Sequence, residues 1–133
     1  MVLGDKLMRT KSLEEYMHCP FHLAMSMLEG KWKFAILYVL SNRGTLRFKE
    51  LERAIPEIST RMLTKDLKHL EQKGIVRRKA YATVPPKVEY SLTDIGHSIA
   101  PVMASITKWG EAYIEDVRHG DHNVGASRHH SGH

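Results

Sequence analysis

The chain has 133 residues, a length that fits one domain and can bury a core without disulfides or metals. Apolar residues make up 42% of it, which excludes a disordered type of composition. The chain has no run of about 18 apolar residues, the length that a transmembrane helix needs. The single cysteine, Cys19, excludes an intrachain disulfide framework and suits a reducing compartment. No apolar segment follows the basic residues near the N-terminus, so we expect no signal peptide and a cytoplasmic protein.

The positive charge is concentrated in the middle of the chain. The net charge is +5, and residues 43–90 hold 12 Lys and Arg against 6 Asp and Glu. Residues 1–42 hold 5 against 4, and residues 91–133 hold 3 against 5. A local basic zone is typical of a surface that binds a polyanion, although a solvated face without a ligand has the same composition.

Hydrophobic periodicity predicts two helices after an N-terminal arm. Residues 1–12 lack a pattern and are expected to be flexible, so that the main domain covers residues 13–118. A helix with Pro20 at its first position runs to about Glu29 and directs five apolar residues inward: Phe21, Leu23, Ala24, Met27 and Leu28. A second helix covers roughly 31–41, and its predicted buried stripe is Trp32, Ala35, Ile36, Val39 and Leu40.

Two further helices follow, separated by a short turn. The first covers roughly 47–54 and ends before Pro56, because a residue that precedes proline disfavours the helical conformation. The second begins after Ser59, a good N-cap residue, and runs from about 60 to 73, where Gly74 ends it.

A hairpin and a last helix complete the predicted order. Residues 75–79 and 88–92 are expected to be strands, and Pro85-Pro86 lies in their connection. Thr93 caps the last helix, which Pro101 should kink or divide in two. The apolar stripe of this helix is Ile95, Ile99, Val102 or Met103, Ile106, Trp109, Tyr113 and Val117. Residues 119–133 are expected to be a disordered tail, and the predicted fold class is mainly α with a small β-hairpin, the winged helix-turn-helix plan.

The helix predicted at 60–73 has a cationic face opposite an apolar one. On a helical wheel four long polar side chains lie within about 60 degrees of each other: Arg61, Lys65, Lys68 and Gln72. Leu63, Leu67 and Leu70 lie on the opposite side. This pattern is typical of a recognition helix, in which Arg and Lys bind guanine or phosphate and nearby hydroxyls, here Ser59, Thr60 and Thr64, donate to phosphates. An ordinary amphipathic surface helix is the alternative.

The predicted hairpin is also basic. Arg77, Arg78, Lys79 and Lys87 lie on or beside its tip, where a wing follows the phosphates or enters a minor groove. The alternative is a charged strand edge that blocks aggregation.

Other classes of function find less support in the sequence. A protein-interaction module would not need so uniform a basic face. An enzyme is not expected, since the chain has no Gly-rich phosphate loop, nucleophile elbow or paired carboxylates with matched spacing. No cofactor is expected either.

An ordered set of short motifs resembles the HxlR-type winged-helix regulators of bacteria and archaea. These motifs are Cys19-Pro20, Gly30-Lys31-Trp32, Arg47-Phe48-Lys49-Glu50-Leu51, Ile55-Pro56-Glu57-Ile58-Ser59, Met62-Leu63-Thr64, Leu67-Lys68-His69-Leu70-Glu71, Gly74-Ile75-Val76 with Arg78, Val84 to Thr93, and Trp109-Gly110. The resemblance implies a homodimer joined through the first and last helices. It also implies double-stranded operator DNA as the partner, repression as the usual mode, and Lys31 among the DNA-binding residues.

The resemblance further implies that some members sense oxidants through a cysteine near the N-terminus, which in this chain is Cys19. The dipole at a helix start can lower the pKa of a thiol there and favour the thiolate. The alternative that we favour is a small buried residue, or a residue with no sensing role. His18, Cys19 and His22 lie on one turn without a distant fourth ligand, so we expect no metal site.

Overall fold

The computed structural model describes Glu14 and residues 19–120. These residues divide into two compact units, one ending at Gly96 and the other beginning at His97. The predicted flexible arm, residues 1–12, and residues 121–133 of the predicted tail lie outside the described residues. In the described part, no helix combines the length and apolarity that crossing a membrane requires.

Four helices form most of the first unit: α1 is Pro20–Leu28, α2 is Lys33–Arg43, α3 is Phe48–Ala54 and α4 is Thr60–Gln72. Their bounds agree closely with the sequence predictions. Glu57 connects α3 to α4 with a φ of 71°, a left-handed conformation that is uncommon outside glycine. The side chain of Ser59 then caps α4 by accepting a hydrogen bond from the Met62 N–H at 3.0 Å.

A small antiparallel sheet follows. Val76–Tyr81 (β2) and Lys87–Leu92 (β3) form the predicted hairpin, and β2 continues two residues beyond its predicted end at Lys79. The prediction of only two strands is wrong, because Leu46–Arg47 (β1) pairs with β3 and gives the order β1-β3-β2. Two residues are too few to show the alternation that reveals a strand in sequence. The predicted fold class, mainly helical with a small β element, is confirmed.

The core of the first unit lies between α2, α3, α4 and β2. Its most completely buried side chains are Ile36, Leu37, Leu40, Leu51, Leu63, Leu67, Leu70 and Val76. The predicted stripe of α2 missed Leu37, whereas Trp32, Ala35 and Val39 are only half-buried. The inward orientation predicted for Phe21 is wrong in the single chain, where its side chain is 71% exposed. Only the C-terminal end of α1, at Leu28, is buried.

The predicted last helix is two helices. Asp94–His97 (α5) is a short helix whose Gly96 N–H donates to the Thr93 hydroxyl at 3.2 Å. Ala100–His119 (α6) begins with Pro101 in its first turn, where the missing N–H of proline is harmless. Of the two predicted outcomes, a kink or a division at Pro101, the structure has the division. Helix α6 continues one residue past the predicted end of the domain at residue 118.

One side-chain nitrogen in the first unit is buried without a hydrogen-bond partner. Among the described residues, the His69 Nδ1 atom of α4 is the one buried side-chain nitrogen or oxygen without a hydrogen-bond partner. Burial lowers the pKa of this imidazole below its ordinary value of 6.5, and the positive charges of Lys33 and Lys73 lower the pKa further. The carboxylates of Asp66 and Glu29 offset part of this effect. The neutral imidazole is therefore the form that fits the fold.

We predict that His69 makes the protein less stable in mild acid. The unfolded chain binds a proton at His69 near pH 6.5, whereas the folded chain resists protonation, so stability is full above pH 6.5 and falls as the pH drops toward the folded-state pKa. Urea unfolding at a series of pH values should show a smaller acid loss in His69→Gln than in the wild type. Comparing the two proteins cancels the contribution of the other histidines. An identical acid loss in both would contradict the prediction.

Candidate nucleic-acid interface

Helix α4 presents its cationic face to solvent. Arg61, Lys65, Lys68 and Gln72 are all exposed, as the helical wheel predicted. Leu63, Leu67 and Leu70 on the other side are fully or almost fully buried. Burial of three leucines holds the cationic face outward, so that four long side chains are free to contact a polyanion.

The hydroxyl groups at the start of α4 are partly occupied within the protein. The Thr60 hydroxyl donates to the Glu52 carboxylate on α3, and the Thr64 hydroxyl donates to the Thr60 carbonyl at 2.8 Å. Ser59 uses its oxygen as an acceptor for the helix cap and keeps its own O–H as a donor. Of the three predicted phosphate donors, Ser59 is thus the one whose hydroxyl hydrogen has no assigned acceptor in the described structure.

The register of the sheet sorts the basic residues of the hairpin by face. Arg77 and Lys79 lie on the same face of β2 and pair with Ser91 and Glu89 of β3. Arg78 lies on the other face. Arg47 of β1 also pairs with Glu89 and so joins the face of Arg77 and Lys79. Arg47 is not among the residues predicted from the sequence, because β1 is too short to be recognised there.

Tyr81 lies between two lysines on that same face. The ammonium groups of Lys79 and Lys87 lie 5.1 Å and 4.6 Å from the centroid of its ring. The Tyr81 hydroxyl donates to a Glu89 carboxylate oxygen at 2.9 Å, and the Lys87 ammonium lies 3.8 Å from the other oxygen. This contact set holds the two lysines in place by cation–π and ionic interactions. Tyr81 was also missed, although the alternation from Arg77 through Lys79 indicates its position.

The tip of the hairpin is less basic than predicted. It consists of residues 82–86, where Val84 is 99% exposed and the Val84–Pro85 peptide bond is cis. Lys87, which pairs with Tyr81, is next to the tip. Arg77 and Arg78 pair with Ser91 and Tyr90 near the base, so their predicted place on or beside the tip is corrected.

Two lysines lie at the start of α2: Lys31 in the turn before the helix and Lys33 as its first residue. Lys31 is exposed, and its ammonium lies 4.8 Å from the centroid of the Trp32 ring. Lys33 is only slightly exposed instead: its ammonium lies 3.2 Å from the buried Asp66 carboxylate of α4, with 12% and 5% of the two side chains exposed. It also donates to the Glu29 carbonyl, at the end of α1, at 3.5 Å. The sequence analysis missed this ion pair because its partners are 33 positions apart.

Cys19 occupies the N-cap position of α1 and is exposed. The burial expected of Cys19 is therefore wrong for the single chain, whereas the absence of a sensing role stays a prediction. Within Glu14 and residues 19–120, no three His, Cys, Asp or Glu side chains are grouped so that they could hold a metal ion. His18, one of the three residues weighed for a metal site, lies outside the described residues.

Comparison with known proteins gives one family assignment over most of the chain. The family described as HxlR-like helix-turn-helix matches residues 27–118. The HTH-type transcriptional regulator YdeP of Bacillus subtilis is 42% identical over 106 residues, which are 80% of this chain and 82% of YdeP. A similar regulator of Methanothermobacter thermautotrophicus is 43% identical over 100 residues, 75% of each chain.

Solved structures support the same assignment. The redox regulator HypR in its reduced form superposes with a TM-score of 0.68 at 40% sequence identity, over 74% of this chain and 97% of that chain. The resemblance inferred from the sequence motifs is thus confirmed, and the relatives are transcription regulators, a class of proteins that are not enzymes. The chain belongs to the HxlR-like helix-turn-helix family of transcriptional regulators.

Proposed function

We propose that this protein is a sequence-specific regulator that binds double-stranded operator DNA as a homodimer in the cytoplasm. The observation that carries the proposal is the exposed row of Arg61, Lys65 and Lys68 on a helix whose opposite face is buried. A surface that docks another protein would not need so uniform a cationic row. The family resemblance favours repression as the mode of action.

In the proposed complex the two basic elements of the first unit have different tasks. The N-terminal turns of α4 enter the major groove, where Arg61 and Lys65 can bind guanine O6 and N7. Lys68 binds a phosphate, and Ser59 adds a hydroxyl donor at the helix start. Arg47, Arg77 and Lys79 share a sheet face that can follow the phosphate backbone, independently of base sequence. Lys87 lies on the same sheet face as Lys79. Four more residues complete the proposed DNA-binding set: Lys31, Thr60, Thr64 and Arg78.

The proposal of a homodimer rests on an exposed apolar face of α6. Val102, Ile106, Trp109 and Tyr113 fall within about 60 degrees on a helical wheel and are each close to half exposed or more. The Trp109 and Tyr113 rings stack with centroids 5.8 Å apart. A row of large apolar side chains on one helix face is typical of a protein interface. In a homodimer a second copy of the same row would cover it.

Replacing Arg61 or Lys65 by Ala should weaken binding to a specific duplex by about 1–3 kcal/mol, because each loses a contact to a base edge. The duplex can be selected by the wild-type protein from a random-sequence pool, and fluorescence anisotropy measures its affinity. The matched control is Lys73→Ala, which removes one charge at the C-terminal end of α4, away from the cationic face. Unchanged affinity in both Arg61→Ala and Lys65→Ala would contradict the assignment of α4 as the recognition helix.

Placing a charge in the α6 row should break the dimer. Ile106→Asp buries a carboxylate in the proposed interface, so sedimentation velocity should show a shift toward monomer, and operator affinity should fall with it. Ala104→Asp introduces the same charge on the opposite, exposed side of α6 and should leave the dimer intact. A dimer that survives Ile106→Asp, or a wild-type protein that is monomeric, would overturn this part of the proposal.

The proposed regulator responds to thiol oxidants through Cys19. The exposure of Cys19 supports this, as does the similarity to HypR, which is described as a redox regulator. Because the chain has one cysteine, a disulfide must join two protomers: an oxidant such as diamide takes one hydrogen from each Cys19 thiol, is itself reduced, and leaves a sulfur–sulfur bond.

Diamide treatment should therefore give a covalent dimer on a non-reducing gel and change operator affinity in the wild type. The Cys19→Ser protein should bind the same duplex and ignore diamide. If diamide leaves wild-type affinity unchanged, Cys19 is not a sensor, whereas the DNA-binding proposal is untouched.

A further inference from the structure

The largely buried ion pair between Lys33 and Asp66 joins three helices of the first unit. Lys33 is the first residue of α2, Asp66 lies in the middle of α4, and the Lys33 ammonium also reaches the Glu29 carbonyl at the end of α1. The backbone bends beside this ammonium at Gly30, where φ is 111° and an added Cβ would lie 3.7 Å from the Lys33 Nζ atom. One charged group thus connects the α1–α2 turn to α4.

This pair is not well suited to stabilise the fold. Lys33 places a positive charge in the first turn of a helix, where the helix dipole disfavours cations. Moving both charges out of water costs free energy that their attraction only roughly offsets, so an apolar pair of similar size is often as stable. Asp66 is also the one buried polar or charged residue within the described part of the chain. The presence of a carboxylate at this site therefore needs a reason other than stability.

The position of Asp66 suggests that reason. It precedes Leu67 and follows Lys65, so it lies at the border between the buried and the exposed face of α4. Lys33 and Asp66 line one surface groove together with Lys65, Lys68 and Gln72, three of the four side chains in the cationic row. Leucine side chains allow a helix to slide or turn slightly, whereas an ion pair with a fixed partner atom does not. A small rotation of α4 would displace every side chain of that row.

We propose that Lys33 and Asp66 are positioning residues for DNA recognition: their ion pair fixes the rotation and height of α4 against the α1–α2 turn, so that Arg61 and Lys65 meet the correct bases. This inference rests on the DNA-binding function proposed above. In this proposal the ion pair affects how well the protein distinguishes one DNA sequence from another. It does not affect the general attraction to DNA, because neither residue belongs to the exposed cationic row.

The test compares specificity and stability in the full-length protein. Lys33→Met combined with Asp66→Leu replaces the ion pair by apolar side chains of similar length. Urea unfolding should show stability equal to or above that of the wild type. Anisotropy should show that the affinity for the selected duplex, divided by that for a scrambled duplex, falls about tenfold. One mismatched base pair has an effect of about this size. Affinity for the scrambled duplex should stay within about twofold, because the exposed charges remain.

Asp66→Asn is the second variant, and urea unfolding first establishes a temperature at which it is folded, because it leaves Lys33 without its partner charge. It keeps the shape of Asp66 and removes the charge, so the specificity ratio should again fall. Glu71→Gln is its control, since it removes the same charge from an exposed site on α4 and should keep the ratio.

Three outcomes oppose the inference. A folded apolar pair or Asp66→Asn protein with the wild-type ratio would overturn it, since rotation of α4 would then not depend on the ion pair. Equal losses on both duplexes would also overturn it, because the effect would concern charge or folding alone. A wild-type protein that prefers no selected duplex would refute the proposed function itself, and the inference with it.

Discussion

Burial of the leucine face of α4 is the constraint on which the rest of the structure depends. Leu63, Leu67 and Leu70 are at most 2% exposed, and each contributes about 1.5–3 kcal/mol by leaving water. Turning α4 by one residue, about 100 degrees, would expose leucines and bury lysines. The hydrophobic effect therefore determines which side chains of α4 face solvent, and the cationic row is exposed because the leucines are buried.

The leucines fix the face of α4, and the polar contacts around it refine its position. Ser59 caps its first turn, Thr60 ties it to Glu52 of α3, and Asp66 ties it to Lys33 of α2. The cap lies within α4 itself, whereas the other two contacts join α4 to two different helices. Breaking one partner of a buried ion pair costs about 3–5 kcal/mol, so the link at Asp66 resists displacement of the helix. The helix is thus held by apolar burial on one face and by directional contacts along its edges.

The parts of this structure that the sequence predicted have a strong local period. Helix α4 was found from a row of cations opposite a row of leucines, and the hairpin from alternation around Val88 and Tyr90. Pro101 and Thr93 marked the break and the cap before α6, because proline and threonine act on their immediate neighbours.

The parts that the sequence did not reveal depend on contacts between distant residues. The strand at Arg47 is too short to have a period, and its role follows only from pairing with Glu89. Nothing local connects Lys33 to Asp66. Phe21 has the hydrophobicity of a core residue but is exposed in the single chain, since periodicity shows an apolar face without showing what covers it.

Amide chemical shifts of the isotope-labelled protein, followed by NMR during titration with a selected duplex, test the central claim most directly. The account predicts the largest changes at the start of α4, around Ser59, Arg61 and Lys65, with a second set on the sheet at Arg47, Arg77 and Lys79. Raising the salt concentration should reverse both sets, because phosphate contacts release counterions. Changes absent from α4, with the duplex still bound, would contradict the claim that its cationic face reads DNA.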